Sequence, residues 1–419
     1  MKKNYFLLAL LTLTTAAFAQ KTIIVNGGQF GNQNENANVM IYDTQTKSSQ
    51  VIDTIHTQSV QDILIDGNFA FVAAQDSIVK YNLNQGTRVA SAAFSGVSTK
   101  TFTLSGNELL VGNWYAQTTD NLYIYDKNNL NLIDSVTAVE KGAISILVDN
   151  GFAYISQNET SANFTDTLGY IIKVDLANRT VVDTAAVSGY TQDMGELILR
   201  PDGNGFYVLN SGSNTITSVD FASFNATNTS LSNNLRVGGK SHISIQTDTL
   251  FARMDNGIGA IDLTNLSVFA TNIVDTVVSA FTYDTLNKQF YVTQTDFFSY
   301  NLGKIYDRAG NKLDTMPVGY APEVIRMYYD QSVGLHDFKK PAEFGLTLFP
   351  NPSSEMVNIN FDQGDFTQLR LLDLKGKVLL EKGISTSRAL LDVSNFSKGM
   401  YLIELSNATH QTAKPLIIK

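Results

Sequence analysis

VMIYDTQTK, residues 39–47, is an alternating apolar run that stops on Asp43 and turns. The same unit returns as IVKYNLNQG at Asn82, LYIYDKNNL at Asp126, IIKVDLANR at Asp175, ITSVDFASF at Asp220, IGAIDLTNL at Asp262 and GKIYDRAGN at Asp307. Successive acidic or amide positions lie about 40 to 50 residues apart, the spacing of units built from four short strands. An Asp or Asn at the end of a strand accepts backbone N–H groups two or three residues on, so its repeated presence is explained by the turn it caps. A catalytic set does not follow from it.

The rest of each unit repeats as well. Ahead of each capped strand stand a short alternating strand, as in QDILIDGN, KTFTLSGN and GAISILVDNG, and a strand rich in aromatic and β-branched residues, as in FAFVAAQ, FAYISQN and FYVTQT. The last short strand, PEVIRMYYD, has no such partner after it, whereas KTIIVNGG at residues 21–28 has none before it. The two ends must therefore pair, with an inner strand from residues 322–329 joined to three strands from about residues 22–55. Closure of this kind removes the open edges that a sheet would otherwise carry. The expected fold class is all-β: a seven-bladed β-propeller over residues 20–331, followed by a small Ig-like β-sandwich. The propeller resembles the YVTN or surface-layer type of bacterial surface and periplasmic propellers, with VGYAP at 318–322 keeping that family's Gly-x-x-Pro element.

MKKNYFLLALLTLTTAAFAQ begins the chain with two lysines, a short apolar run and Ala17-Phe18-Ala19, the pattern of a secretory signal peptide over residues 1–19 cut before Gln20. No later stretch has the roughly 18 apolar residues of a membrane-spanning helix. The chain has no cysteine, so neither a lipid-modified cysteine nor a disulfide framework is available to it. Its net charge of −9 and the absence of a Lys/Arg cluster argue against nucleic acid as a partner.

The repeat stops after residue 331, and residues 332–345 have the mixed polarity of a linker. From 346 to 419 short alternating strands recur about every ten residues, the pattern of a small sandwich. Phe349-Pro350-Asn351-Pro352, the LRLLDLKGK turn with Asp373 and Gly376, the FSKGMY element with Gly399 and Tyr401, and the terminal PLIIK resemble the C-terminal sorting domain of type IX secretion cargo in Bacteroidota. The resemblance implies a secreted or cell-surface protein with the type IX machinery as a partner, the sorting domain being an export address. Proline on either side of Asn351 predicts a stiff, extended start to the domain.

Catalytic signals are sparse. Histidine occurs only at 56, 242, 336 and 410, too few and too scattered for an imidazole-rich metal site, and no cofactor or metal is expected. His242, at the start of an inner strand beside the channel, is a candidate ligand or base. Glu140, Asp193, Glu196 and Asp255 are acidic residues that a propeller enzyme would have to bring together. Binding is the better reading. The loops between the second and third strands of several units are long, notably VGNWYAQTTDNL, SQNETSANFTDTLGY and TQTDFFSYNLG, and loops on one face of a rigid scaffold are where binding resides. They set Phe30, Trp114, Tyr115, Phe164, Phe297, Phe298 and Tyr300 beside Asn113, Gln117, Asn158 and Gln294. Aromatic faces ringed by uncharged polar groups suit a glycan or a flat, partly apolar small molecule. The resemblance to surface propellers adds a corrinoid as one such ligand and an outer-membrane transporter or surface protein as a partner. An extracellular lyase or hydrolase and an adhesion module are the competing classes.

Overall fold

In the computed structural model each capped strand ends as its sequence dictates. Asp43 Oδ1 accepts the N–H groups of Gln45 and Thr46, both at 2.9 Å, and Asn82, Asp126, Asp175 and Asp220 repeat the arrangement with the residues two and three further on. Asp262 caps Thr264, and Asp307 caps Ala309 and Asn311. The carboxylate satisfies donors that the turn leaves without a ladder partner, so the chain reverses without a buried orphan group.

The structure describes residues 20–329 and 346–419, apart from 30, 33, 97, 115–119, 159–168, 188–193, 234, 236–243, 247–248, 255–256, 299, 362–365, 374–376, 385 and 408–410. All regular elements among these are strands. They fall into two units, residues 1–330 and 331–419.

The first unit is a β-propeller. Its described strands form seven four-stranded antiparallel sheets. The first sheet runs Pro322–Tyr329, Gln20–Asn26, Ala37–Asp43, Ser48–Ile55 from inside outward, so the two ends of the propeller segment pair, with Ile24 opposite Ile325. The second runs from Asp62–Asp66 to Thr87–Ala93, the third from Thr99–Ser105 to Leu132–Val136, and the fourth from Ala143–Asp149 to Thr180–Val187. The fifth runs from Met194–Leu199 to Ala226–Ser230, the sixth from Ser244–Gln246 to Ser267–Asp275, and the seventh from Ala280–Asp284 to Lys312–Met316.

Apolar clusters lie between neighbouring sheets and continue round the circle. Val72 and Tyr81 of the second sheet pack with Ile23 and Val324 of the first. Phe71 packs with Phe102 and Val111 of the third, and so on to Tyr291 and Ile305 of the seventh, which return to Ile24 and Tyr42 of the first. The second strands are the most aromatic because they sit where both neighbours press. Phe206, Phe251 and Phe290 are fully or almost fully buried there, each contributing roughly 1.5–3 kcal/mol of transfer free energy. The outermost strands, such as Thr87–Ala93, are largely exposed, and their sequences are correspondingly polar or small.

The second unit packs a three-stranded sheet, Thr347–Phe349, Met356–Asn360 and Arg388–Asp392, with a four-stranded one containing Gln368–Leu372, Val378–Gly383, Gly399–Ser406 and Gln411–Ile418. Val357, Ile359, Leu369, Leu371, Ile403, Leu405 and Leu416 share one core between them. The Phe349–Pro352 segment bends rather than running straight. The last strand holds that bend: Asn351 Nδ2 donates to Pro415 O at 2.8 Å, and Asn351 Oδ1 accepts the Ile417 N–H at 2.9 Å. Tyr401, following Gly399, packs its ring edge-on to Phe396 and donates its hydroxyl to Ser397 O at 2.6 Å.

Candidate functional site

Opposite the capped turns lies the face formed by the longer loops, and the chain secures it with side-chain amides. Asn113, the last residue of its strand, is wholly buried; its Nδ2 donates to Asn121 Oδ1 at 2.9 Å and its Oδ1 accepts the Ser98 N–H at 3.0 Å. Asn121 in turn donates to Val139 O at 2.9 Å, tying the third sheet to the loop that enters the fourth. The first sheet repeats this clamp: Asn26 donates to Asn38 at 2.8 Å and accepts the Gly319 N–H at 3.0 Å. In the seventh, Asn301 Oδ1 takes the Thr295 hydroxyl and the Ala321 N–H, both at 2.9 Å. Asn210 binds Thr215 and Thr217 at the corresponding corner of the fifth sheet. Asn210 Oδ1 has no partner among the described residues, but the other amides bond through both ends or to two groups, and such amides hold loops rigidly because each lost partner would strand a polar group out of water.

On this frame stands Trp114, half-buried, its backbone N–H donating to Ser98 O at 2.8 Å. The buried Lys100 places its ammonium 4.1 Å from the centre of the Trp114 ring, a cation–π contact in a desolvated setting. Gly142 passes so close to the Trp114 carbonyl that a Cβ there would lie 2.1 Å from the oxygen, so the tryptophan backbone is fixed from below as well.

The seventh sheet carries the most exposed aromatic group. Phe297, Phe298 and Tyr300 are 44%, 60% and 41% exposed. Their backbone is nonetheless tightly held: Thr295 Oγ1 accepts the Phe297 N–H at 2.8 Å, and Asp296 Oδ1 accepts those of Phe298 and Tyr300 at 2.9 and 3.1 Å. Phe297 has a φ of 70°, a left-handed conformation that costs a bulky residue of order 1–3 kcal/mol. Below it Gln294 is buried, donating to Thr276 Oγ1 at 2.5 Å and Val277 O at 2.6 Å, while its Oε1 has no partner among the described residues.

A third group lines the channel. Arg326, on the inner strand of the first sheet, stands 3.5 Å from Asp62 of the second and 3.9 Å from Glu196 of the fifth, so it spans the channel to a sheet that is not its neighbour. Asp62 also accepts the Ile63 N–H at 2.8 Å and the Phe102 N–H and Thr101 hydroxyl at 3.2 Å. Burial in the channel pushes the Asp62 carboxyl above the usual carboxylate range, with Arg326 and these donors opposing. The signal for this group was charge within mostly apolar inner strands, Asp62 in QDILID and Arg326 in PEVIRMYY.

Of the residues expected to bind, Asn113, Trp114, Gln294 and Phe297 are on the loop face. Asn113 and Trp114 adjoin each other in the third sheet, and Gln294 and Phe297 adjoin each other in the seventh, so the structure gives two separate groups. Asn158 closes its strand on the same face, but its side chain lies outside the described residues, as do Tyr115 and His242. Phe30, Gln117, Phe164, Asp193, Asp255 and Gly376 lie outside them too, with residues 1–19 and the 332–345 segment.

Residues 347–419 match the secretion system C-terminal sorting domain. This match indicates an extracellular protein, secreted or attached to the cell surface through the type IX system, and implies contact with its machinery. Beta-agarase D of Zobellia galactanivorans is 34% identical over 88 residues, 19% of this chain and 18% of the agarase. The chain thus spans less than a fifth of that relative. Among solved structures, a candidate 6-phosphogluconolactonase from Bacteroides fragilis is similar over 74% of this chain and 98% of its own, with a TM-score of 0.55 at 12% identity. A periplasmic gluconolactonase from Pseudomonas aeruginosa is similar over 74% of this chain and 99% of its own, with a TM-score of 0.54 at 13% identity. At such identities the likeness is one of fold.

Proposed function

We propose that this type IX cargo is an extracellular binding protein, a seven-bladed propeller of the surface-layer type whose loop face captures a glycan or a flat, partly apolar small molecule such as a corrinoid, for a surface partner. The observation that carries this reading is the seventh-sheet loop: three solvent-facing aromatics on a backbone bonded in place, one of them strained. Exposed aromatic rings lose little entropy when they stack on a ligand if their backbone is already fixed. Trp114 forms a second aromatic position on the same face.

The chain's one tryptophan makes the test direct. Titrating the full chain with glycans, cobalamin and haem, and following Trp114 emission and heat release, should reveal one ligand class. Replacing Phe297 and Phe298 together by Ser should weaken that binding by at least about tenfold, roughly 1.4 kcal/mol. Unaltered affinity in this variant, and in Trp114→Ala, would remove the loop face from consideration.

A second reading draws on the channel. Asp62, its carboxyl pushed up by burial and opposed by Arg326, is an acid–base candidate in the channel, and the two solved structures above are described as a candidate 6-phosphogluconolactonase and a gluconolactonase. An enzyme opening a sugar lactone there would lose turnover in Asp62→Asn while the Phe297/Phe298 variant kept it.

A further inference from the structure

The sorting domain has two outward faces, and strand register shows that they are built differently. Residues directly opposite in an antiparallel pair share a face, so each cross-strand row can be read in full. Outside the three-stranded sheet, Phe349 and Leu390 flank Asn358, Thr347 and Arg388 flank Asn360, and Met356 stands beside Asp392. Every row there holds a polar or charged side chain. Outside the four-stranded sheet, one row runs Val378, Leu372, Leu402, Pro415, and the next pairs Met400 with Ile417. Both rows are wholly apolar, although Val378, Met400 and Ile417 are 42%, 50% and 41% exposed. The charge of this sheet is gathered in the adjoining row, where Arg370 bonds Glu381 at 3.1 Å and Glu404 at 3.4 Å.

The four sequence elements that mark the domain meet at this apolar end. Leu372 comes from LRLLDLKGK, Met400 from FSKGMY, and Pro415 and Ile417 from PLIIK, while Asn351 of the FPNP segment is bonded to the Pro415 carbonyl and the Ile417 N–H. Asn351 and Tyr401 direct their polar groups into the domain itself, Tyr401 onto Ser397. They shape the end, and the side chains left for another molecule are the aliphatic ones beside them. Exposed Lys377, Lys398 and Lys419 stand where these strands begin or end, so the apolar rows have a basic border.

We propose that this apolar end of the sorting domain is the surface by which the type IX machinery takes hold of the chain, the receiving surface being apolar with an acidic border. The proposal rests on the sorting-domain match and is independent of the loop-face reading. A contiguous apolar patch rimmed by polar groups marks a protein contact, and a centre depleted of charge is the composition of an interface core. The machinery is the occupant because the match implies contact with it, and because the elements that identify the domain all border this patch.

The test expresses the full chain in a cell with a type IX system and measures the share that reaches the exterior, in the medium or open to added protease. Met400→Glu and Ile417→Glu should each lower that share at least about tenfold, whereas Leu390→Glu and Met356→Glu on the other face should change it by less than about twofold. Thermal melts of the purified chains separate a misfolded domain from a lost contact. If either glutamate variant melts early, Met400→Ser or Ile417→Thr takes its place with the same expected direction. Export unchanged in folded face variants overturns the proposal, as does an equal loss in Leu390→Glu. A parent chain that light scattering shows to be a dimer, and that these variants make monomeric at unchanged export, assigns the patch to a second copy and overturns it too. Export of the parent chain that persists when the cell's type IX system is disabled overturns both the proposal and the reading of the domain on which it rests.

Discussion

The two faces of the propeller solve the same problem, how to reverse a strand, with different chemistry. On the turn face the reversal is short, and one carboxylate or amide caps the backbone of the next two or three residues. On the loop face the reversal is long, and buried amides bind groups from other strands and loops: Asn113 joins Ser98 to Asn121, and Asn121 reaches Val139. The turn-face device is local, solvated and individually cheap to lose. The loop-face device is buried and shared between neighbouring sheets, so its loss propagates.

The sharpest way to break this contrast is Asn113→Leu. It strands the Ser98 N–H and the Asn121 side-chain Oδ1 in a dry corner, and should lower the denaturant-unfolding free energy by on the order of 3 kcal/mol. A loss no larger than that of Asp220→Ala on the opposite face would show the amide clamp to be dispensable. Next comes Gly142→Ala, where the added methyl meets the Trp114 carbonyl. It should cost about 2 kcal/mol and shift Trp114 emission, because the backbone beneath the ring has to move. An unshifted spectrum would mean that the loop face is softer than its bonding implies.

The smallest effect sharpens the turn-face side. Asn178's amide holds the Asp175 carboxyl below its ordinary range, the Ser223 N–H does so for Asp220, and Asn311's amide does so for Asp307. Groups lowered on folding stabilise fully above the unfolded value of about 3.9 and lose that contribution as pH falls through the lower folded values. Thermal melts should therefore show a stability loss below about pH 4 that is reduced when Asp175, Asp220 and Asp307 are replaced together by Asn. Asparagine should still cap, since Asn82 does so in the second sheet. Equal acid sensitivity in that variant would assign the loss to other carboxylates.

The same distinction explains what could be read from the sequence. The Asp43 turn is a bond between near neighbours in the chain, so its six recurrences were visible as a pattern, and with them the sheet count and the pairing of residues 322–329 with the first strand. The sorting domain was legible because its elements stand in a fixed order. Asn113 stood out only as a polar residue beside Trp114; that its amide was already engaged depended on Ser98 and Asn121, which no spacing rule connects to it. Arg326 and Asp62 meet only because the ring closes. Each requires knowing which strand lies opposite or which sheet lies beside, and that information is held in the fold rather than in local sequence.

Pairing of Gln20–Asn26 with Pro322–Tyr329 also has a bearing on the order of events during synthesis. The strand that completes the ring is made last, a few residues ahead of the sorting domain that begins near residue 347. A chain cut short before this strand would have an unpaired edge and no export address, whereas any chain that has acquired the address already contains the strand that seals the ring. Closure of the ring is thus the last pairing of the propeller to become available as the chain is made.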